Sequence, residues 1–110
     1  MLNELAEKIR DINYNNGWEV LDSYEWITTK YKIPAIIALI HSELSEALEA
    51  YREDNLDHFL EEMADVVIRV LDCVGAFVED ANTPADFEQI VLDKIEENKS
   101  RKYRHGGKRV

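Results

Sequence analysis

The apolar positions of this chain recur at helical rather than strand spacing almost throughout. Leu2, Leu5, Ile9 and Ile12 fall three and four residues apart, which predicts an amphipathic first helix closed by the turn chemistry of Asn13-Tyr14-Asn15-Asn16-Gly17. Between Trp18 and Tyr31 the pattern fits either a short helix or a structured loop. Pro34 suits the first turn of a long helix running to about Glu53, with Ile37, Ile40, Leu44, Ala47, Leu48 and Tyr51 as its apolar stripe. The short break Asp54-Asn55-Leu56-Asp57 predicts an antiparallel return through a helix from about Asp57 to Phe77. Thr83-Pro84-Ala85-Asp86 reads as an N-cap, a first-position proline and an acid completing a capping box. A last helix follows, with Phe87, Ile90, Val91 and Ile95 facing inward. There is no strand alternation, repeat or low-complexity segment. The expected fold is all-α, a four- to five-helix bundle forming a single domain over residues 1–110, with a basic tail from about residue 99.

The helix from Asp57 to Phe77 has the widest apolar surface. Leu60, Met63, Ala64, Val66, Val67, Ile68, Val70, Leu71 and Val74 cover about 200° of its circumference, while Glu61, Glu62, Asp65, Arg69 and Asp72 share the rest. One neighbour cannot cover such an arc. The helix is therefore expected at the centre of the fold, against several helices or a second subunit, with Val66, Val70 and Val74 as interface positions.

Composition narrows the class. The net charge of −10 hides an asymmetry: residues 1–98 carry 7 basic and 23 acidic side chains, residues 99–110 carry 6 basic and no acidic ones. Such a body repels polyanions, and a twelve-residue basic end is too small for a nucleic-acid-binding domain. Cys73, the only cysteine, sits in the apolar run Val66 to Val78 and excludes a disulfide framework. Pro34 to Ile40 is too short to span a bilayer, and residues 1–13 are amphipathic and acidic, unlike a signal peptide. A cytoplasmic protein with no membrane association is expected.

The candidate chemistry lies in two acidic pairs, Glu43-x-x-Glu46 and Glu62-x-x-Asp65, on successive helices. Residues three apart lie about 60° apart around the axis, so each pair can present both acids to a facing helix. Carboxylates crowded in this way repel by roughly 3 kcal/mol per adjacent pair at an effective dielectric of ~20. A cation should compensate. Oxygen-only ligation favours Mg²⁺, with Mn²⁺ as a substitute, over zinc. Acidic pairs are common on solvated faces, but those faces usually interleave both signs; here Glu43 and Glu46 have no basic neighbour before Arg52, and Glu62 and Asp65 have only Arg69. A di-iron bundle would need Glu-x-x-His, yet Ala38, Asn55 and Lys102 stand three residues before His41, His58 and His105.

Lys94, Asn98 and Arg101 form an i, i+4, i+7 row that suits phosphate oxygens, although bases at a helix C-terminus also complement its dipole. Trp18 and Trp26 can stack on a base or sugar, or simply fill the core. Ser45, Cys73 and the histidines form no nucleophile constellation, and there is no P-loop.

Three ordered motifs carry a resemblance. Ile40-His41-Ser42-Glu43-Leu44-Ser45-Glu46-Ala47-Leu48-Glu49-Ala50, then Glu61-Glu62-Met63-Ala64-Asp65-Val66-Val67-Ile68-Arg69, then Lys94-x-x-x-Asn98-x-x-Arg101-x-x-x-His105-Gly106, together resemble the MazG-like branch of the all-α nucleoside triphosphate (NTP) pyrophosphatases, especially its short phage-type forms. Ser42, Lys102 and Gly107 depart from the pattern common there. The resemblance implies Mg²⁺-dependent hydrolysis of a nucleoside or deoxynucleoside triphosphate to monophosphate and pyrophosphate. It also implies Glu43, Glu46, Glu62 and Asp65 as metal ligands, Lys94, Asn98 and Arg101 at the phosphates, and a homodimer or dimer of dimers. Trp18 is the candidate for the base, and Glu46, Glu62 or the adjacent Glu61 for accepting a proton from water. The competing expectation is a non-catalytic helical dimer that binds nucleotide or a protein partner through the same surfaces.

Overall fold

A computed structural model describes residues 1–100 as five helices, with no strand among them: α1 (Leu2–Asn15), α2 (Glu25–Thr28), α3 (Lys32–Arg52), α4 (Leu56–Val78) and α5 (Phe87–Lys99). The all-α class and the order of the long helices are those the periodicity predicts. The ambiguous segment after Gly17 is mostly loop, with α2 as one short turn. Helix α4 is central: α3 returns along one side, α1 lies along another, and α5 leans chiefly on α1. None of these helices is long and apolar enough to cross a membrane.

Two helices end in the same way, through different residues. At the end of α1, Trp18 N–H donates to Asn13 O (2.9 Å) and Gly17 N–H to Tyr14 O (3.0 Å), with Gly17 at φ 80°. This is a Schellman closure, and glycine supplies the left-handed residue it needs. At the end of α3, Asn55 N–H donates to Ala50 O (2.9 Å) and Asp54 N–H to Tyr51 O (3.0 Å), but Asp54 occupies the left-handed position at φ 56°. Asn55 then caps α4, its side chain accepting from His58 N–H at 3.0 Å. Three residues therefore close the α3–α4 hairpin, which fixes how the two acidic pairs meet.

A cation is buried between α1 and α4. Arg10, 7% exposed, donates to the Leu21 carbonyl (2.6 Å) and to Glu79 (3.0 Å). Gly75 makes room for it: a Cβ there would come within 2.4 Å of Arg10 Cδ. Lys32, at the start of α3, pairs with Glu19 and Glu25 and ties the loop between α1 and α3 to the hairpin. At the other end, Asn3 donates to Asp86 (2.9 Å) and accepts from Glu88 N–H (3.0 Å), clipping α5 to α1.

The structure corrects three expectations about the helices. Asp86 is the cap of α5, accepting from Gln89 N–H at 3.0 Å. Thr83 does not cap, because the helix starts only at Phe87 and the Ala85 N–H that a Thr83 cap would hold reaches back to Phe77 O, while Asp80 holds the N–H groups of Asn82 and Thr83. On α3 the covered residues are Lys32, Ile33, Ile36, Ile40, Glu43, Ala47 and Ala50; of the expected stripe Ile40 and Ala47 are among them, whereas Ile37, Leu44, Leu48 and Tyr51 are exposed. On α5, Ile90 and Ile95 are about half exposed, and only Phe87 and Val91 are partly covered. Among the described residues no large side chain is fully buried.

Asp54 offers a direct test of the hairpin closure. Asp54→Gly removes the penalty of a side chain in the left-handed region and should stabilise the protein by about 1 kcal/mol. Urea unfolding of the two proteins measures the difference.

Candidate metal centre

Helix periodicity and two small residues build the centre. Ala47 (3% exposed) and Ala50 (0%) let α3 approach α4 closely. One turn before Ala47, the same face of α3 carries Glu43, and α4 answers with Glu62, 9% exposed. Both acids therefore lie within the seam where a hairpin ordinarily buries apolar side chains. Carboxylate oxygens of Glu43, Glu62 and Asp65 lie within 4.8 Å of one another, with Asp65 on the exposed side. Glu46, the fourth expected ligand, stands outside this group but close enough to influence the protonation of both Glu43 and Glu62.

The crowding shows in the titration of the pair. The neighbouring Glu43, then burial and Glu46, push Glu62 up to about 6, while His58 works the other way. Glu43 is held below the usual carboxylate range by its hydrogen bond with Glu62 and by Arg69. The hydrogen bond between them needs the Glu62 proton, and as pH rises through about 6 that proton is lost and the seam carries the repulsion. Two side chains answer it in part, the Arg69 guanidinium and the His58 ring, and neither pairing belongs to the sequence reading. Arg69 Nε donates to Glu43 at 3.0 Å, crossing from α4 to α3. The His58 ring lies 3.0 Å from Glu62 Oε1. The signals are in the chain: Arg69 follows Glu62 by seven residues on the same face, and His58 precedes it by four, a spacing and order different from Glu-x-x-His.

Glu62 Oε2 is enclosed and accepts no hydrogen bond. An enclosed carboxylate oxygen without a donor is costly. With one oxygen within 4.8 Å of oxygens of Glu43 and Asp65, the Glu62 carboxylate fits a hard cation. The residues thus suit a divalent ion held by Glu43, Glu62 and Asp65, with Glu46 beside them.

Two cavities border the acids. The first, ≈ 440 Å³, lies among the polar residues Ser42, Ser45, Glu46, His58 and Glu62. The second, ≈ 560 Å³, runs from Glu43 and Asp65 past Arg69 and Asp72 to Trp18 and Asn13, with Leu39 and Ile68 as apolar wall. Trp18 and Trp26 are both about two-thirds exposed, so neither fills the core; Trp26 rests edge-on against Phe77 and Trp18 stands at the second cavity. Glu61 is exposed and borders neither cavity. Lys94 pairs with Glu97 at 3.4 Å on α5, and neither it nor Asn98 borders the acids. Arg101 lies outside the described residues.

Comparison of the chain with protein-family models, curated proteins and solved structures finds no match.

The raised Glu62 carboxyl sets a pH dependence. Its folded form holds a proton more tightly than the unfolded chain does, so its contribution to stability falls as pH rises from about 4.5 through about 6. In metal-free buffer Glu62→Gln should remove this slope and melt higher than wild type at pH 7. Added Mg²⁺ should flatten the wild-type slope, because an ion binds the deprotonated form. Melting temperatures at several pH values, with and without Mg²⁺, measure both effects. An identical slope in the variant would show that Glu62 does not carry it.

Proposed function

We propose that the chain is a Mg²⁺-dependent nucleotide pyrophosphohydrolase that converts a nucleoside or deoxynucleoside triphosphate to the monophosphate and pyrophosphate, with Mn²⁺ able to replace Mg²⁺. The observation that carries this reading is the convergence of Glu43, Glu62 and Asp65 within 4.8 Å, two of them, Glu43 and Asp65, lining a cavity that also presents an exposed tryptophan. A bound divalent ion would offset phosphate charge and lower the pKa of an attacking water. The chain's own groups supply the rest. Glu46, outside the tight three-acid group, is left to accept the proton from water. Trp18 offers a face for a base, and a cavity of ≈ 560 Å³ is within the range for a ligand of nucleoside size.

The same reading includes a second copy of the chain. Leu44, Leu48, Leu60, Met63 and Val67 are all 38–54% exposed, an apolar surface that a second copy would cover. These residues replace Val66, Val70 and Val74 as interface candidates, since the three valines are already partly covered within the chain. Lys94, Asn98 and Arg101 remain candidates for the terminal phosphates. Because Lys94 and Asn98 of α5 do not border the acids of their own chain, this assignment depends on the second copy. The same separation favours, as a second reading, a dimer that binds nucleotide without cleaving it.

Pyrophosphate release decides between the two. A screen of natural triphosphates with Mg²⁺ should give pyrophosphate and monophosphate. Glu62→Gln and Asp65→Asn should abolish both this release and the Mg²⁺-induced rise in melting temperature. Nucleotide binding without release would leave the binding reading. Light scattering at micromolar concentration should give at least twice 12.8 kDa, and Met63→Glu with Val67→Glu should lower that mass. A wild-type monomer would remove the second copy and, with it, the phosphate role of α5.

A further inference from the structure

Arg69 is the one cationic side chain among the described residues that lines the larger cavity; the other charged residues of that lining are Glu19, Glu43, Asp65 and Asp72. It is held there from one side only. Its Nε–H donates to Glu43 at 3.0 Å, across the seam from α4 to α3. Arginine and carboxylate often meet through two parallel bonds, but this pair is joined through Nε alone. Asp65 stands four residues before Arg69 on the same helix and Asp72 three after it, spacings at which an acid ordinarily pairs with a base, and neither does so here. A guanidinium carries five N–H groups. One serves Glu43, and those on the two terminal nitrogens have no partner among the described residues, on a side chain that keeps 40% of its surface exposed.

Balancing Glu43 accounts for one N–H and for the place of the head group, and leaves its far end unused. That end is a planar fork of two nitrogens, the geometry that matches phosphate oxygens. Its neighbourhood gives the fork a use. Glu43 is one of the three acids whose oxygens come within 4.8 Å of one another, so the guanidinium bonded to it stands beside the place a divalent ion would take. A phosphate bound to that ion would bring its remaining oxygens next to Arg69. The rest of the charged lining is acidic and repels an anion, and Lys94 and Asn98 of the same chain do not border the cavity. We infer that Arg69 is a substrate-binding residue: Nε keeps it beside the metal acids, and the free fork holds a phosphate of the nucleotide. The inference rests on the proposed nucleotide reading and deepens it, because it supplies within one copy of the chain a phosphate contact that α5 could make only from a second copy.

The test is calorimetry on the full chain in saturating Mg²⁺ with two probes, inorganic pyrophosphate and the natural nucleoside monophosphates, which separate the phosphates that leave from the one that stays. Arg69→Gln, which keeps a donor for Glu43 and loses the fork, should bind one or both probes about tenfold more weakly or worse, the loss of a charge-assisted contact, while the Mg²⁺-induced melting shift persists. Weakening confined to pyrophosphate assigns Arg69 to the terminal phosphates, and weakening confined to the monophosphates assigns it to the α-phosphate. Arg69→Lys, which keeps a cation beside Glu43 without the fork, serves the same purpose if the glutamine variant does not fold. A residue that only balances Glu43 predicts the opposite: removing its charge leaves the centre more negative, so Mg²⁺ binds more tightly and both probes bind at least as well as to wild type. That result, or no binding of either probe by wild type, would overturn the inference. Loss of the Mg²⁺ shift in both variants would also overturn it, since Arg69 would then serve the centre and not the substrate. If wild type binds the probes but releases no pyrophosphate from any triphosphate, the hydrolase reading fails, and the same affinities still decide the role of Arg69.

Discussion

The constraint on which the rest depends is the placement of carboxylates inside a helix seam. Ala47 and Ala50 set how closely α3 and α4 approach, and that approach brings Glu43 and Glu62 together one turn further along. A hairpin with three connecting residues leaves little freedom to slide the acids apart. Larger side chains at the two alanines would separate the helices and ease the repulsion, and would also dissolve the three-acid group. The seam thus exchanges stability for a concentration of negative charge, a trade characteristic of functional sites. Arg69 and His58 moderate the cost without cancelling it, since Glu62 keeps one oxygen without a donor.

The cavity beside the acids depends on a different interaction. Arg10 lies against Gly75 and holds the Leu21 carbonyl and Glu79, so it joins α1, the following loop and the end of α4 at one point. Asn13 stands one turn beyond Arg10, and the closure at Gly17 delivers Trp18 directly after it. Lys32 then draws in Glu19, the neighbour of Trp18. Truncating one partner of a buried charged network typically costs about 3 kcal/mol or more. Here the same loss would release the wall that carries Asn13 and Trp18. Arg10 is therefore structural in its contacts and indirectly a determinant of the cavity's shape.

Much of this was legible in the residues. The long helices, the antiparallel hairpin and the meeting of Glu43 with Glu62 and Asp65 follow from periodicity and from spacing on adjacent helices. What failed did so for physical reasons. On α3 the expected stripe holds Ile40 and Ala47, which do pack, but Ile37, Leu44 and Leu48, larger and more hydrophobic than Ala50, are exposed while Ala50 is buried; burial follows closeness of approach rather than hydrophobicity. Thr83 looked like a cap, but the Ala85 N–H that it would hold reaches back to Phe77 O and the helix starts only at Phe87. Counting charges along the chain left Glu43 without a counterion, and its partner came from the other helix.

The inverted seam also bears on how the molecule is stabilised. If Glu43 and Glu62 take the inward line, the wide apolar arc of α4 is only partly used within the chain, and Leu60, Met63 and Val67 face outward with Leu44 and Leu48. Hydrophobic burial is the main favourable term available to a domain of this size, at roughly 25 cal/mol per Å² of apolar surface removed from water. A chain that spends its best seam on charge must recover that burial elsewhere. Cover over the outer faces and a cation in the seam would act on the same hairpin from opposite sides, one adding apolar burial and the other removing repulsion. Each would steady the geometry the other requires, so assembly and ion binding should be thermodynamically linked even with no contact between the two surfaces.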